Sequence, residues 1–518
     1  MAEGYEQNRD LVEALCCYKS ALTWNKDDET NLLPDDYKKK AADRLALVAK
    51  ELKFSQDWQS DDRKTKDLRP ASILKLIQSK VHAKEAVQAY LRCEDFRMST
   101  NAKFHLDFGT ACKEYPEHRD VAMQALEIAS EDSDMEAAAR HGQADIQYDR
   151  HQYDAAEQLY ARAYEKDPSN ALACSGMANC EKDKGNLEEA IRLYKEAASV
   201  SPGDPTFAFN LAQAYEYVQK YEAALNTLQD FCATVKESEL TTINHFAVYI
   251  LFAKLVFVAG QPFWQEKLVL LLSQINNFPD VVKRALQGLT THWAYFFFIS
   301  KLMLSMENCP PPETTGCKPL FLVGDSHVLS GAWGRIKLKK TSHYIFPKLV
   351  TGLKAWHLRE GHQFLTVANL HECMKSLPAD AKEIVFVCGE IDCREGIPGA
   401  VMKRKYESMQ KAVEETVQIF DKAVKYLSKR FSVKMFVLSV CPPSNPQHKD
   451  RIEATNLFNK KLKEVYGPKG TYIDISNDVT TSEGVLKSDF VCDGTHMNRG
   501  ILKVLEKQFN SCLKTSSD

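Results

Sequence analysis

The feature that most constrains the fold is a spacing of 34 residues that recurs in the first half of the chain. Four residues return with the same identity one spacing later, as Ala156/Ala190, Tyr160/Tyr194, Ala163/Ala197 and Pro168/Pro202. After a second spacing the positions are still apolar, as Ala224, Leu228 and Phe231. Small residues let paired helices approach closely, and a proline at the end of each unit cannot extend a helix. The spacing predicts stacked helix pairs, most clearly over residues 135–236.

A helix–turn–helix unit of this length resembles the tetratricopeptide repeat. The resemblance implies a protein or peptide partner bound on the concave face of the array. Residues 8–24 and 36–53 are predicted as flanking amphipathic helices, and 54–70 as a loop. Residues 240–305 are more apolar than the repeats that precede them. We expect them to form capping helices that pack on the array or on the next domain, with a partner groove as the alternative.

Composition narrows the class of protein. The net charge of −3 offers no basic excess for nucleic acid or an anionic membrane. The apolar stretches at 246–253 and 293–299 are much shorter than the ~20 residues that cross a bilayer. The 15 cysteines, an odd number without zinc-finger spacing, favour a reduced, cytoplasmic protein over a secreted one. No metal site is expected, because no cysteine pair has zinc-finger spacing, and no cofactor is expected, because neither a Walker motif nor a dinucleotide fingerprint occurs.

The sequence pattern changes after the proline-rich segment 309–318. We expect this segment to be a linker between a helical region, 1–308, and an α/β domain, 319–518. Short apolar runs alternate there with helical patterns, which predicts a parallel sheet covered by helices on both faces. The predicted strands are 321–323, 383–388, 433–440 and 471–475, and the predicted helices are 403–430, 451–466 and 501–513. In such sheets, sites form beyond the carboxyl ends of the strands.

Two short motifs in these positions point to nucleophilic catalysis. Gly324-Asp325-Ser326 directly follows the first predicted strand, and Asp493 and His496 lie three residues apart before the last helix. A serine hydroxyl needs a basic histidine, and the histidine needs an orienting carboxylate. The two motifs together predict a Ser-His-Asp arrangement.

These motifs resemble the first and last sequence blocks of SGNH/GDSL-type hydrolases, the last continuing into Met497-Asn498. The resemblance implies a three-layer α/β fold with Ser326 as nucleophile, His496 as base and Asp493 as its partner. It also implies an oxyanion-hole glycine, for which Gly352 is the best match and Gly361 the alternative. Asp325 and His327 flank the serine, where Asp325 is expected mainly to stabilise the loop and His327 to pack or to shape the pocket.

The third block departs from the family pattern, which is Gly-x-Asn-Asp. Gly389 and Asp392 align, but Ile391 stands where the family has an asparagine whose amide donates to the oxyanion. Isoleucine has no donor, and losing one oxyanion-hole donor costs about 3–4 kcal/mol of transition-state stabilisation. Arg394 is the candidate substitute and is expected to point towards Ser326, although it is equally suited to pair with Glu390 or Asp392.

These observations are consistent with two alternative functions. The first is a serine esterase or acyltransferase that acts on a small-molecule ester or an acylated substrate, with a repeat array for a protein partner. The second is a scaffold whose α/β domain binds a ligand without catalysis. Each site residue also has an ordinary structural explanation, since a serine commonly caps a helix and an aspartate a turn.

Overall fold

The computed structural model describes residues 73–74, 77–78, 83–92, 101–234, 243–260, 290–304, 316–362 and 364–515. The predicted elements at 8–24, 36–53 and 54–70, and most of the predicted linker 309–318, lie outside the described residues. By its internal contacts the chain forms two compact units, Met1–Gly176 and Met177–Asp518. The predicted division at 309–318 therefore stays a prediction about domains, and it lies inside the second unit.

The first unit is helical. Its helices are α1 (Ala83–Arg92), α2 (Ala102–Cys112), α3 (Arg119–Ala129), α4 (Glu136–Asp149), α5 (Tyr153–Lys166) and the beginning of α6 (Ala171–Lys184). Close packing is visible at Leu126, because a Cβ atom added to Gly109 would come within 2.7 Å of its Cγ and one added to Gly142 within 3.0 Å of its Cδ1. Small residues are thus required where the helices touch.

Further helix pairs follow in the second unit. They are formed by the later part of α6 with α7 (Leu187–Val200), where the Tyr194 hydroxyl donates to Asn179 Oδ1 at 2.5 Å, and by α8 (Pro205–Tyr217) with α9 (Tyr221–Thr234). Asp204 caps α8 by accepting a hydrogen bond from the Thr206 N–H at 2.8 Å, and Pro205 occupies the first turn, where its missing N–H is not needed. The repeated positions are buried as the spacing predicts, with Ala190, Ala197 and Ala212 fully inaccessible.

The α/β part contains a six-stranded sheet in the order β2-β3-β1-β4-β5-β6. The strands are β1 (Lys318–Gly324), β2 (Arg335–Leu338), β3 (Thr341–Leu349), β4 (Glu383–Val387), β5 (Lys434–Leu438) and β6 (Tyr472–Ile473). β1 pairs in parallel with β3 and β4, and β5 pairs in parallel with β4 and β6. The sheet is mixed, because β2 pairs with β3 in the antiparallel direction.

Alternate residues of the central strands enter two separate apolar cores. Leu320 and Leu322 of β1 belong to one core, and Phe321 and Val323 belong to the other. The second core is completed by helices α12 (Leu365–Lys375), α14 (Met409–Phe431) and α15 (Lys449–Tyr466). Short helices α13 (Ile397–Met402) and α16 (Ser476–Val479) lie in the connecting segments. Both faces of the sheet are therefore covered, which explains why its strands are continuously apolar.

The first core is covered by helices from both ends of the second unit. The last helix, α17 (Ile501–Thr515), contributes Val504, Leu505 and Phe509. The same core receives Phe257 from α10 (Ile243–Ala259) and Phe298 from α11 (Thr290–Leu304). The segment predicted as capping helices at 240–305 thus contributes side chains to the core at the sheet, and at its beginning His245 lies against Phe231 of α9, with ring centroids 6.0 Å apart. Residues 261–289 lie outside the described residues.

Two strands escaped prediction from the sequence. The charged run Lys337–Lys340 begins in β2 and continues through the turn that joins β2 to β3, and such a run is more typical of a solvent-exposed surface than of a strand. In the structure Ile336 and Leu338 point to the first core while the intervening charges stay exposed, and Lys339 occupies the turn with φ +54°. The long helix predicted from residue 403 begins later, at Met409, where Ser408 caps it by accepting from the Lys411 N–H.

Candidate active site

The loop after β1 is held against the backbone of β4. Gly324 has φ +151°, and a Cβ atom on it would come within 1.7 Å of the Val387 carbonyl oxygen, so only glycine fits. Directly afterwards the Asp325 N–H donates to that same carbonyl at 3.0 Å. Ser326 then starts a short 3₁₀ turn, Ser326–Gly331. The close approach of two strands fixes the serine at the carboxyl edge of the sheet.

Ser326, His496 and Asp493 form a continuous hydrogen-bonded chain. The Ser326 Oγ lies 2.8 Å from His496 Nε2, and His496 Nδ1 lies 2.9 Å from Asp493 Oδ2. The other carboxylate oxygen of Asp493 accepts from the backbone N–H groups of Thr495 and His496 at 2.7 and 2.6 Å. Asp493 can only accept, so His496 Nδ1 carries the proton and Nε2 is free to accept from the serine hydroxyl.

The charges in this chain suit proton transfer. Burial alone would raise the pKa of Asp493, but the hydrogen bonds from His496 and the backbone lower that pKa to about 2. Burial lowers the pKa of His496, and the neighbouring His327 lowers it further, against the opposing effect of Asp493. At neutral pH the arrangement is therefore a neutral imidazole oriented by an ionised carboxylate, which is able to remove a proton from Ser326.

His327 is buried behind the pair. Its Nδ1 lies 3.3 Å from Asp325 Oδ1 and its Nε2 lies 3.2 Å from the Thr495 carbonyl oxygen. Both ring nitrogens face acceptors, which favours the doubly protonated ring. Burial would lower the pKa of His327, but the hydrogen bond to Asp325, helped by Cys441, raises it well above the ordinary value. Asp325 also accepts from the His327 N–H at 3.0 Å, which is the loop-stabilising contact considered for it.

The wall of the site comes from α11, which sequence reasoning did not connect with catalysis. The ring of Phe298 stacks on the imidazole of His496, with centroids 3.9 Å apart and an interplanar angle of 11°. Tyr295, one turn earlier on the same helix face, is buried, and burial raises the pKa of its phenol against the opposing effect of hydrogen bonding with Thr351 and Ser326. The aromatic run around Phe296 was the available signal, but no spacing in the sequence relates it to Ser326.

A buried polar cluster lies behind Tyr295. Lys254 of α10 bonds Glu216 of α8 at 2.7 Å and Thr351 at 3.0 Å, and its ammonium lies 4.4 Å from the centre of the Tyr295 ring. Lys254 and Glu216 are only 2% and 3% exposed at their side chains. The cluster thus ties the loop after β3 to two helices of the helical region.

The glycines of the expected oxyanion hole have different surroundings. Gly352 adopts φ +73° directly after Thr351, and a Cβ atom there would meet no atom closer than 4.0 Å, so its backbone conformation alone favours glycine. Gly361 adopts φ +78° with open space around it. At Gly389 a Cβ atom would lie 2.8 Å from Phe458, which gives this glycine a packing role.

The third block is arranged by ion pairs. Arg394 donates through Nε to Glu390 at 2.9 Å and pairs with Glu395 at 2.5 Å. Glu390 is buried and also binds Arg451 at 2.8 Å. The guanidinium of Arg394 is thus engaged by carboxylates, which favours the pairing alternative over the expected approach to Ser326. No donor is contributed by the side chain of Ile391.

Asp392 has a structural role in this block. Its carboxylate accepts from the N–H groups of Ala355 and Trp356 at 2.7 and 3.0 Å, so it joins the β3 and β4 loops. Burial raises the pKa of Asp392 to about 6, against these hydrogen bonds. It borders a cavity of about 790 Å³ whose lining includes Trp356 and Tyr406 but neither Ser326 nor His496. Among the described residues, no cluster of three or more His, Cys, Asp or Glu side chains is arranged to hold a metal ion.

Comparison with known proteins supports the helical part. Residues 147–193 and 182–230 match the tetratricopeptide repeat family. This part of the chain therefore contains tetratricopeptide repeats, which are typical of protein-binding scaffolds. No curated protein matches the chain.

Several solved structures are similar at low identity. MamA is 19% identical, covering 30% of this chain and 90% of its own, with a TM-score of 0.27. PilF of Pseudomonas aeruginosa is 12% identical, covering 42% and 96%, with a TM-score of 0.30. A Streptococcus pneumonia protein provisionally described as a platelet activating factor is 16% identical, covering 46% and 100%, with a TM-score of 0.30. Such low scores carry no argument about function. In the described segments, no helix is both long and apolar enough to cross a bilayer.

Proposed function

We propose that the α/β part is a serine ester hydrolase of SGNH type. The observation that carries the proposal is the chain from Ser326 through His496 to Asp493, with both distances below 3.0 Å. It lies at the carboxyl edge of the parallel strands, where ligands of open α/β sheets bind. The depressed pKa of His496 keeps this base neutral near pH 7.

The reaction then follows acyl transfer through an acyl-enzyme. Ser326 Oγ attacks the ester carbonyl carbon while His496 Nε2 takes the hydroxyl proton. When the carbon–oxygen bond to the alcohol breaks, His496 returns that proton to the departing alcohol oxygen. A water molecule, deprotonated by the same imidazole, releases the acid and regenerates Ser326. With an alcohol in place of water the same residues would transfer the acyl group.

The oxyanion is assigned to the backbone N–H groups of Ser326 and Gly352. Backbone donors fixed in place stabilise the developing charge without reorganising during the reaction. Gly352 is suited to this role by its position directly after Thr351, whose hydroxyl accepts a hydrogen bond from Lys254 at 3.0 Å in the cluster beside Tyr295. The tetratricopeptide array would hold a protein partner, and in an acylated-protein reaction that partner is the substrate.

A second candidate function is supported by one observation. Ile391 provides no amide donor where the resemblance implies one, and Arg394 is paired with carboxylates. The α/β part would then be a non-catalytic ligand-binding module on a scaffold. Under this alternative the serine hydroxyl shows no unusual reactivity.

A fluorophosphonate probe separates the two candidates, because it labels a serine only when a base activates it. We expect labelling of the whole protein that is lost in Ser326→Ala and His496→Ala. The matched control is Ser330→Ala, which removes another hydroxyl from the same turn, one that is buried and without a hydrogen-bond partner. A folded protein that is not labelled would contradict the esterase proposal. A panel of short acetyl esters and sugar acetates then identifies the substrate class.

A further inference from the structure

The oxyanion hole described above lacks a side-chain donor at Ile391. Only two backbone N–H groups are assigned to it, and removing a single donor elsewhere lowers kcat by about 10²–10³-fold. An efficient site therefore needs another neutral donor that faces the reacting carbonyl. The guanidinium of Arg394 does not supply it, because Glu390 and Glu395 hold that side chain.

One helix face is turned towards both reacting side chains. Tyr295 and Phe298 are three residues apart on α11, so their side chains project from the same face. Phe298 covers His496 by stacking, and the ring of Tyr295 lies 4.4 Å from the Lys254 ammonium, which donates to Thr351 Oγ1 at 3.0 Å. Interactions with Thr351 and Ser326 lower the pKa of the Tyr295 phenol, against the larger effect of burial. The phenol thus lies near both the nucleophile and the loop that carries Gly352.

The surroundings fix the ring and keep it protonated. The ammonium of Lys254 lies 4.4 Å from the ring centre, a cation–π contact, and is itself held by Glu216 and Thr351. Burial is the main reason that the pKa of Tyr295 is raised, and the negative charges of Glu216 and Asp325 raise it further. Near neutral pH, where His496 is neutral, the hydroxyl therefore retains its proton and can act as a donor.

We infer that Tyr295 is a catalytic residue whose hydroxyl donates a hydrogen bond to the substrate oxyanion, in place of the donor that Ile391 cannot supply. The inference rests on the proposed esterase function. As Ser326 attacks, the carbonyl oxygen gains negative charge and the phenol O–H strengthens its hydrogen bond to that oxygen. No proton is transferred, and the bond relaxes when the carbonyl reforms. A residue of the helical region would thus complete the site of the α/β part.

The test compares Tyr295→Phe with the wild type on the best acetyl ester found. We expect kcat to fall about 10²–10³-fold with KM nearly unchanged, because the hydrogen bond is made mainly in the transition state. A trifluoromethyl ketone, which forms a tetrahedral oxyanion with the serine, should lose affinity by the same factor as kcat/KM. The matched control is Tyr221→Phe, which removes a partly buried phenol that donates to Gln219 Oε1 instead.

A second variant guards against a loss of fold. Replacing Tyr295 by 3,5-difluorotyrosine keeps the ring and lowers the pKa of its phenol, so activity should disappear at a lower pH than in the wild type as the donor ionises. Unchanged kcat and inhibitor affinity in Tyr295→Phe, or an unchanged alkaline limb in the fluorinated protein, would overturn the role of Tyr295 while Ser326 labelling still supports the esterase. If the wild type shows no Ser326-dependent labelling, both proposals fall.

Discussion

The ring of Phe298 lies parallel to the imidazole of His496 at a centroid distance of 3.9 Å. Phe298 is fully buried, and its helix belongs to the helical region of the chain. Burial is also the main reason that the pKa of His496 is low. The stacked phenylalanine therefore helps to keep the pKa of His496 low.

Phe298→Ala should lower the stability of the protein and raise the pKa of His496. Removing a buried phenylalanine costs about 3–5 kcal/mol of unfolding free energy through lost burial and the cavity left behind. Because water then reaches the imidazole, the pKa of His496 should rise and the acid limb of the activity profile should move to higher pH. Urea unfolding and a pH–rate profile measure the two effects. Phe297→Ala, an exposed neighbour on the same helix, should change neither by a comparable amount.

His327→Gln should move the acid limb in the same direction for a different reason. The positive charge of His327 lowers the pKa of His496, whereas burial and Asp493 act on His496 equally in the wild type and in the variant. Without that charge the pKa of His496 rises, so more of the base is protonated at a given acidic pH. The pH dependence of kcat/KM reports the shift, with His343→Gln as control. An unmoved acid limb would argue against a charged His327.

Asp493→Asn should abolish the orientation of the base. An amide can donate to His496 Nδ1 and so favours the wrong tautomer, which lowers kcat by about 10⁴ in comparable triads. Asp489→Asn, an exposed aspartate on the preceding turn, is the matched control and should keep full activity.

Asp493 also gives stability a defined pH dependence. Its pKa falls from 3.8 to about 2 on folding, so the carboxylate stabilises the native state above about pH 4. This contribution is lost as the pH decreases towards 2. Denaturation between pH 5 and 2 should therefore show a steeper loss of stability in the wild type than in Asp493→Asn, and parallel curves would contradict it.

Lys254→Met should be strongly destabilising. It leaves Glu216 as an unpaired buried carboxylate, and breaking a buried ion pair in this way costs about 3–5 kcal/mol. The double variant Lys254→Met/Glu216→Gln removes both charges and should recover much of that loss. A double-mutant cycle by urea unfolding measures the coupling. Additive effects of the two single variants would show that the pair is not coupled.

The sequence predicted those parts of the fold and site that local rules determine. The 34-residue spacing located the helix pairs, since Ala190, Tyr194 and Ala197 are buried at the repeated positions. The apolar runs located β1, β4, β5 and β6, because a strand buried on both faces must be apolar throughout. The three residues Ser326, His496 and Asp493 were found by their motifs, and the structure brings them within hydrogen-bonding distance.

The remainder depended on contacts between distant segments. β2 was missed because its outward face carries Arg335 and Lys337, which hide the apolar alternation of Ile336 and Leu338. Arg394 is oriented by the buried carboxylate of Glu390, which also pairs with Arg451. Because Arg451 is distant in the sequence, local spacing does not reveal this arrangement. Tyr295 and Phe298 were only part of an aromatic run until folding brought α11 over the sheet.

Because α11 covers the sheet, the residues that form the site come from both the helical region and the α/β part of the chain. A fragment beginning at residue 319 would keep Ser326, His496 and Asp493 but would lose Phe298, Tyr295 and the Lys254 beneath it. We would expect such a fragment to expose an apolar sheet face and to hold a histidine of more ordinary acidity. Loss of the helices should therefore lower activity, although it would remove none of the three residues that define the motifs.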